Sequence, residues 1–406
     1  MVSIPPLHPR QFPVSGFMKL DPSNKIEEEQ LPFYVAESYY LVYIGEVFAS
    51  RYQVVSKLGY GTSSTTWLCR DLQERGYYTL KVCVQGQQPN NEIATSEHLR
   101  KCSDHSGKKL VRLVLDSFEL VGPHGKHTCL IYQPLGMTFT EFRDLLPERK
   151  FPKNLLQRSI QLTLIALAFM HENHVIHTGQ SYAYTFLHIS SNNLHFGIED
   201  PSVLSQIEED ETKRPIARKV LPDRIIYFSR PMPVSTGLPV LSDLGEARIG
   251  GDKQRGDSMP GIYRAPEVVL DMDWDSKVDI WSIGAMAWDL VEDTHLFFAK
   301  KDRVLNDDQH LAEMISLMGS PPPEFLKRSE KSERFWTPQG KWKGAVPIPE
   351  QTLSMRERQF SGEDNILFLN FLRNIFRWSP DERPTAEELA YDDFLMQPVL
   401  ESRAQK

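Results

Sequence analysis

RYQVVSKLGYGTSSTTWLCRDL, Arg51–Leu72, is rich in β-branched and aromatic residues on both sides of Gly59-Tyr60-Gly61. Two such runs interrupted by glycines predict a β-hairpin with a tight tip. Outward from it, YYTLKVCV (Tyr77–Val84) and HTCLIYQPLG (His127–Gly136) add strand-like runs, and a helix is expected over Asn91–Cys102. These elements predict a small antiparallel sheet domain. Beyond Gly136 the pattern becomes helical. In NLLQRSIQLTLIALAFMHENH the residues Ile160, Leu164 and Leu167 recur at helical spacing, and HVI begins a short extended segment. DSKVDIWSIGAMAWDLVED predicts a helix buried on most sides, capped by Asp275 or Ser276, and Asn365–Phe376 and Thr385–Leu389 predict further helices.

Upstream of the hairpin lie a Pro-rich start, the acidic run Glu27, Glu28, Glu29, and the tyrosines Tyr34, Tyr39, Tyr40 and Tyr43. This reads as a leader that frays at its beginning and packs at its end. The polar stretch Glu199–Arg230, with Glu208, Glu209, Asp210 and Glu211 followed by basic residues, reads as a surface insertion.

The chain has 406 residues, 40% hydrophobic and 25% charged, enough to bury one large core or two modest ones. A formal charge of -8 argues against a nonspecific nucleic-acid binder and is compatible with a basic protein substrate. No apolar run approaches the length of a membrane helix, and the opening MVSIPPLHPRQFPVSG lacks the apolar stretch of a secretory signal, so an intracellular protein is expected. Cys69, Cys83, Cys102 and Cys129 have no CxxC spacing and read as buried thiols.

Four signals carry chemistry. Gly59 and Gly61 let backbone approach phosphates closely, although a Gly-x-Gly turn alone is an ordinary hairpin tip. Lys81, inside TLKV, is a charge in an apolar strand that needs a partner, or else snorkels from a sheet edge. Asp243, in LSDLGEA, follows a strand-like run and precedes a glycine, a placement that suits magnesium coordination. GIYRAPEVV then runs from Gly261 to Val269. Each signal is weak by itself; their order is informative.

With these motifs the chain resembles the eukaryotic protein kinases, and among them the serine/threonine kinases specific for arginine/serine-rich proteins, especially fungal members. The resemblance runs from about Glu28 to Leu395 and rests on VAESYYLVYIGEVFASRYQVVSKLGYG, VLDSFELVGPHGKH, VIHT, FGIED, IYRAPEV and VDIWSIGAMAWDL. It implies an α+β, bilobal protein-kinase-like fold, with a small antiparallel β-sheet lobe, a larger mainly helical lobe, and ATP between them. The expected boundaries are a flexible leader at 1–27, the N-terminal extension and small lobe at 28–135, the large lobe at 136–398 with an insertion near 199–230, and a tail at 399–406. Carried over residue by residue, Leu58, Gly59, Gly61 and Ser64 cover the nucleotide, Ser64 departing from the usual glycine. Lys81 holds phosphates and pairs with Glu92, or alternatively Glu97. Tyr132 guards the adenine pocket, while the backbone of Gln133 and Leu135 reads adenine across Pro134. Asp243, in DLG where most kinases have DFG, and Asn193 hold Mg2+. Glu267 pairs with Arg383, and Asp279 supports the catalytic loop. The implied substrates are arginine/serine-rich proteins, with no direct nucleic-acid or membrane partner, and the protein is expected as a monomer of cytoplasm and nucleus.

The catalytic loop departs from the family. Asn193 follows His177 by 16 positions where the family pattern has 7, so nine residues are extra. Gly179 takes the place of the catalytic Asp if register is kept from the left, and His188 takes it from the right. Neither is a carboxylate, and Ser190 stands where a lysine is usual. Two explanations stay open: GQSYAYTFLH as a translated stretch of unspliced intron or another error of the gene's exon assignment, the chain otherwise reading HTDISSNN, or a degenerate kinase that binds nucleotide or substrate without phosphorylating it. Between Asp243 and Glu267, Ser258 is the only Ser or Thr, so order without phosphorylation is expected there. Asp271, Asp273 and Asp275 are candidates for an acidic, substrate-attracting surface.

Overall fold

The computed structural model describes residues 6–178, 189–256, 259, 261–292, 294–302 and 304–404. The chain divides into two compact units, one of residues 1–100, 112–137 and 196–237, the other of residues 101–111, 138–195 and 238–406.

The first unit is built on a six-stranded antiparallel sheet of β1 (Val47–Phe48), β2 (Tyr52–Tyr60), β3 (Ser64–Asp71), β4 (Tyr77–Cys83), β5 (Asp116–Val121) and β6 (Lys126–Tyr132), in the order β1-β2-β3-β4-β6-β5. Helix α1 (Asn90–Lys101) lies between β4 and β5 in sequence. Because successive strand residues face opposite sides, Val54 and Val55 enter different clusters. Val54 joins Trp67, Cys69, Leu80, Val82, Cys129 and Ile131 on one face. Val55 and Leu68 pack with Leu204, Ile207 and Met232 on the other. The register of β2 against β3 shifts between Val54 and Ser56 and again between Lys57 and Gly59, irregularities of the kind that re-aim a strand before its turn.

Two expectations are corrected in this unit. The 199–230 stretch, expected as a surface insertion of the larger lobe, groups with the sheet unit instead. Its helix Ser202–Lys213 buries Leu204 and Ile207, at 6% and 4% exposure, each worth about 1.5–3 kcal/mol of apolar burial. Strands Arg218–Val220 and Ile225–Tyr227 follow as a small hairpin. The leader, expected to fray at its beginning and pack at its end, is bound already from Leu7, whose N–H donates to the Leu72 carbonyl at 2.6 Å. Arg10 pairs with Glu208 at 3.0 Å, Glu29 with Lys219 at 2.8 Å, and Glu27 with Lys57 at 3.3 Å, while Lys57 also contacts Glu28. The acidic run therefore sits among buried cations rather than in water, which offsets the cost of removing each charge from solvent.

The second unit is mainly helical. Helix Lys153–Glu172 buries Leu156, Ile160, Leu164 and Leu167, and its Gln157 amide donates to the Phe394 carbonyl at 2.7 Å. Helix Lys277–Val291 is buried along Val278–Val291, as its apolar density requires. Its first turn is capped by Asp275, whose Oδ1 accepts the Lys277 N–H at 3.0 Å; Ser276 makes no side-chain cap bond. Further helices include Asp307–Met318, Gly362–Ile375, Ala386–Ala390 and Asp393–Ala404. Cys69, Cys83 and Cys129 are buried free thiols, and Cys102 is a half-buried one. Among the described residues, no helix is long and apolar enough to cross a membrane.

Candidate active site

In the sheet unit, Lys81 lies on β4 with Thr66 of β3 and Leu130 of β6 as its cross-strand partners. Its Nζ is 2.8 Å from Glu92 Oε2 on α1. Glu92 is buried at 4% exposure, whereas the alternative partner Glu97 is exposed. The Tyr132 hydroxyl donates to the other Glu92 oxygen, so both carboxylate oxygens are engaged. Burial, with the Glu92 carboxylate adding to it, pushes the Tyr132 phenol well above its ordinary range and keeps it a donor.

The hairpin tip follows the same strands. Gly61 N–H donates to the Ser64 carbonyl at 2.8 Å, and Val84 N–H to the Ser63 carbonyl at 2.9 Å. Neither Gly59 nor Gly61 has a positive φ; a Cβ on Gly59 would meet nothing within 4 Å, and one on Gly61 only the Ser64 carbonyl at 4.0 Å. Internal packing therefore does not demand glycine at either position.

Arg112 is a residue the sequence did not single out. Its guanidinium donates to the Gln133 carbonyl through Nη2 at 3.1 Å and Nε at 3.3 Å, and lies 4.7 Å from the Tyr132 ring centroid.

In the helical unit, Asp279 anchors the backbone at His177 and Thr178. Its Oδ2 accepts the His177 N–H at 2.9 Å, its Oδ1 the Thr178 N–H at 3.0 Å, and the His171 ring lies 2.9 Å from Oδ2. His177 Nε2 is 3.0 Å from the Ser242 carbonyl. The Asn193 carbonyl accepts both the N–H and the hydroxyl of Ser242, at 2.9 and 3.0 Å, which brings residue 193 beside residue 243. Asp243 has φ of 67°, a left-handed conformation that costs a non-glycine residue of order 1–3 kcal/mol and is concentrated at functional sites. Nearby, burial raises the pKa of the Glu246 carboxyl, Arg248 opposing and Asp243 adding to the rise.

Glu267 and Arg383 meet through two 2.7 Å hydrogen bonds and are nearly fully buried. Strand Arg248–Ile249 pairs with Val175–Ile176, and Gln254 exchanges backbone hydrogen bonds with Trp274 at 2.8 and 2.9 Å. Of the three acidic-surface candidates, Asp273 pairs with Arg255 and Asp275 caps a helix, so two of them have structural partners. His188, Gly179, the whole 179–188 stretch and Ser258 lie outside the described residues.

The donor set fits magnesium. Asp243 and Asn193 offer hard oxygen donors, and Mg2+ is typically held by one or two protein groups, with phosphates and water completing the shell. No cluster of three or more His, Cys, Asp or Glu suited to an all-protein metal cage occurs among the described residues.

The protein kinase domain family matches residues 235–395. A serine/threonine protein kinase of Aspergillus fumigatus is 40% identical over 399 residues, covering 96% of each chain. The serine/threonine-protein kinase SRPK of Physarum polycephalum is 29% identical over 386 residues, covering 89% of this chain and 90% of that one. Among solved structures, a kinase domain superposes with a TM-score of 0.66 at 22% identity, covering 88% of this chain and 99% of that one, a likeness of fold.

Proposed function

Because the chain belongs to the protein kinase family, we propose that it is an ATP- and Mg2+-dependent serine/threonine kinase acting on arginine/serine-rich proteins. The observation that carries the nucleotide assignment is the Lys81–Glu92 pair on the strand next to the glycine hairpin. Glu92 fixes the ammonium, and Lys81 then offers its positive charge to phosphate oxygens. The backbone of Leu58, Gly59, Gly61 and Ser64 covers those phosphates, and the Gln133 carbonyl and Leu135 N–H read adenine. Asp243 and Asn193 hold Mg2+, which when bound neutralises charge on the phosphate oxygens. Asp279 holds the start of the catalytic loop, and the Glu267–Arg383 pair fixes the segment on which the protein substrate lies.

The arginine/serine preference is supported by the stretches resembling that subfamily and by the acidic formal charge of -8, which attracts basic peptides. Four free thiols fit a reducing compartment, and cytoplasm and nucleus are the proposed locations. A second reading, a kinase-like binding protein without turnover, is favoured by one fact: no Asp or Glu lies between Thr178 and Asn193.

The test is labelling of an arginine/serine peptide by the intact chain with γ-labelled ATP and magnesium, beside Lys81→Met. Phosphoserine above the Lys81→Met background is the expected result. Equal labelling of the two, with the peptide still bound, overturns the kinase reading in favour of the binding protein.

A further inference from the structure

The tyrosine-rich leader contributes to the hairpin that the proposed nucleotide site depends on. Its short turn Ala36–Ser38 is held from two sides: the Arg224 guanidinium donates to the Ala36 carbonyl at 2.6 Å, and Gln85 N–H to the Ser38 carbonyl at 2.8 Å. Tyr39, the next residue, is 9% exposed, and its ring centroid lies 5.1 Å from that of Tyr34. Its hydroxyl donates to the Gly61 carbonyl at 3.0 Å, with the Thr62 carbonyl at 3.5 Å, the limit of a useful hydrogen bond. Burial pushes the phenol up to about 12, so it remains a donor at neutral pH.

We propose that Tyr39 is a positioning residue for phosphate binding, tying the tip of the glycine hairpin to a leader that the 199–230 segment braces. Gly61, at the tip, has no side chain of its own to order it, and the backbone donors of the tip reach phosphates only in a narrow set of conformations. Fixing the Gly61 carbonyl removes part of that freedom before the ligand arrives, and preorganisation of this kind appears as affinity. Arg224 extends the chain of contacts, since it holds the turn that aims Tyr39. The inference rests on the nucleotide reading given above. It adds that the leader belongs to the phosphate grip rather than serving only as a cover for the sheet.

The test is calorimetric titration of the intact chain and of Tyr39→Phe with Mg·ATP and, separately, with adenosine. The phenylalanine ring preserves the packing against Tyr34 and removes only the donor. The readout is the preference for ATP over adenosine, because general loosening of the site weakens both ligands alike while loss of the phosphate grip weakens ATP alone. Tyr39→Phe is expected to lower that preference by about 2–10-fold, the range one net hydrogen bond supplies. A preference changed by less than twofold overturns the inference and leaves the nucleotide reading standing. Failure of the intact chain to bind ATP overturns both.

Discussion

Deleting residues 179–187 and substituting His188→Asp raises phosphorylation of an arginine/serine peptide by about 10²–10⁴-fold over the intact chain, the usual worth of a positioned general base. The shortened chain reads His177, Thr178, then Asp at position 188, with Asn193 five positions beyond it. Both flanks are already fixed. Thr178 is bonded to Asp279 and, through its hydroxyl, to the Glu246 carbonyl at 2.6 Å. On the far side, Ser191 bonds the Thr140 hydroxyl at 2.7 Å, and Asn193 N–H donates to the Ser190 carbonyl at 2.9 Å. A carboxylate placed between these anchors can orient a substrate hydroxyl. His188→Asp without the deletion should gain little, because nine extra residues still separate the two halves of the motif. Steady-state labelling of the three proteins checks this, and a shortened chain no faster than the intact one would show that the loop is not what limits turnover.

Arg383→Ala lowers stability by about 3–5 kcal/mol, because it leaves Glu267 as a buried charge without its partner. Arg383 also loses its position over the Trp281 ring, 5.0 Å from the centroid. For a unit of this size that loss lowers the thermal midpoint by roughly 6–20 °C. The double substitution Glu267→Met with Arg383→Met should cost less than Arg383→Ala alone, since the desolvated charge disappears with its partner. Thermal unfolding of Arg383→Ala, of the double variant and of Glu267→Met and Arg383→Met singly checks the pair: a double variant as unstable as the sum of its single substitutions would mean that the two side chains act independently.

Local pattern made much of the architecture legible. The hairpin around Gly59 and Gly61, the helix containing Ile160 and Leu164, and the buried helix around Trp281 follow from periodicity that neighbouring residues carry by themselves. Glu92 could be preferred over Glu97 only through the family helix, and burial of one and exposure of the other separates them in the structure. The layer joining the leader to the 199–230 segment was not legible. Lys219 and Glu29 are 190 residues apart, and Ser229 and Glu27 are 202 apart, so each charge viewed locally resembles a solvated one. Arg112 escaped for a related reason: its targets, the Gln133 carbonyl and the Tyr132 ring, meet it only when β6 is laid between β4 and β5.

We propose that Lys81 and Asp243 both serve one magnesium-bound nucleotide. Titration of ATP by calorimetry, with and without magnesium, tests it on the intact chain, Lys81→Met and Asp243→Ala. The intact chain should bind ATP more tightly when magnesium is present, Lys81→Met should bind more weakly under both conditions, and Asp243→Ala should lose the magnesium dependence. Binding by both variants that matches the intact chain, with and without magnesium, would contradict it.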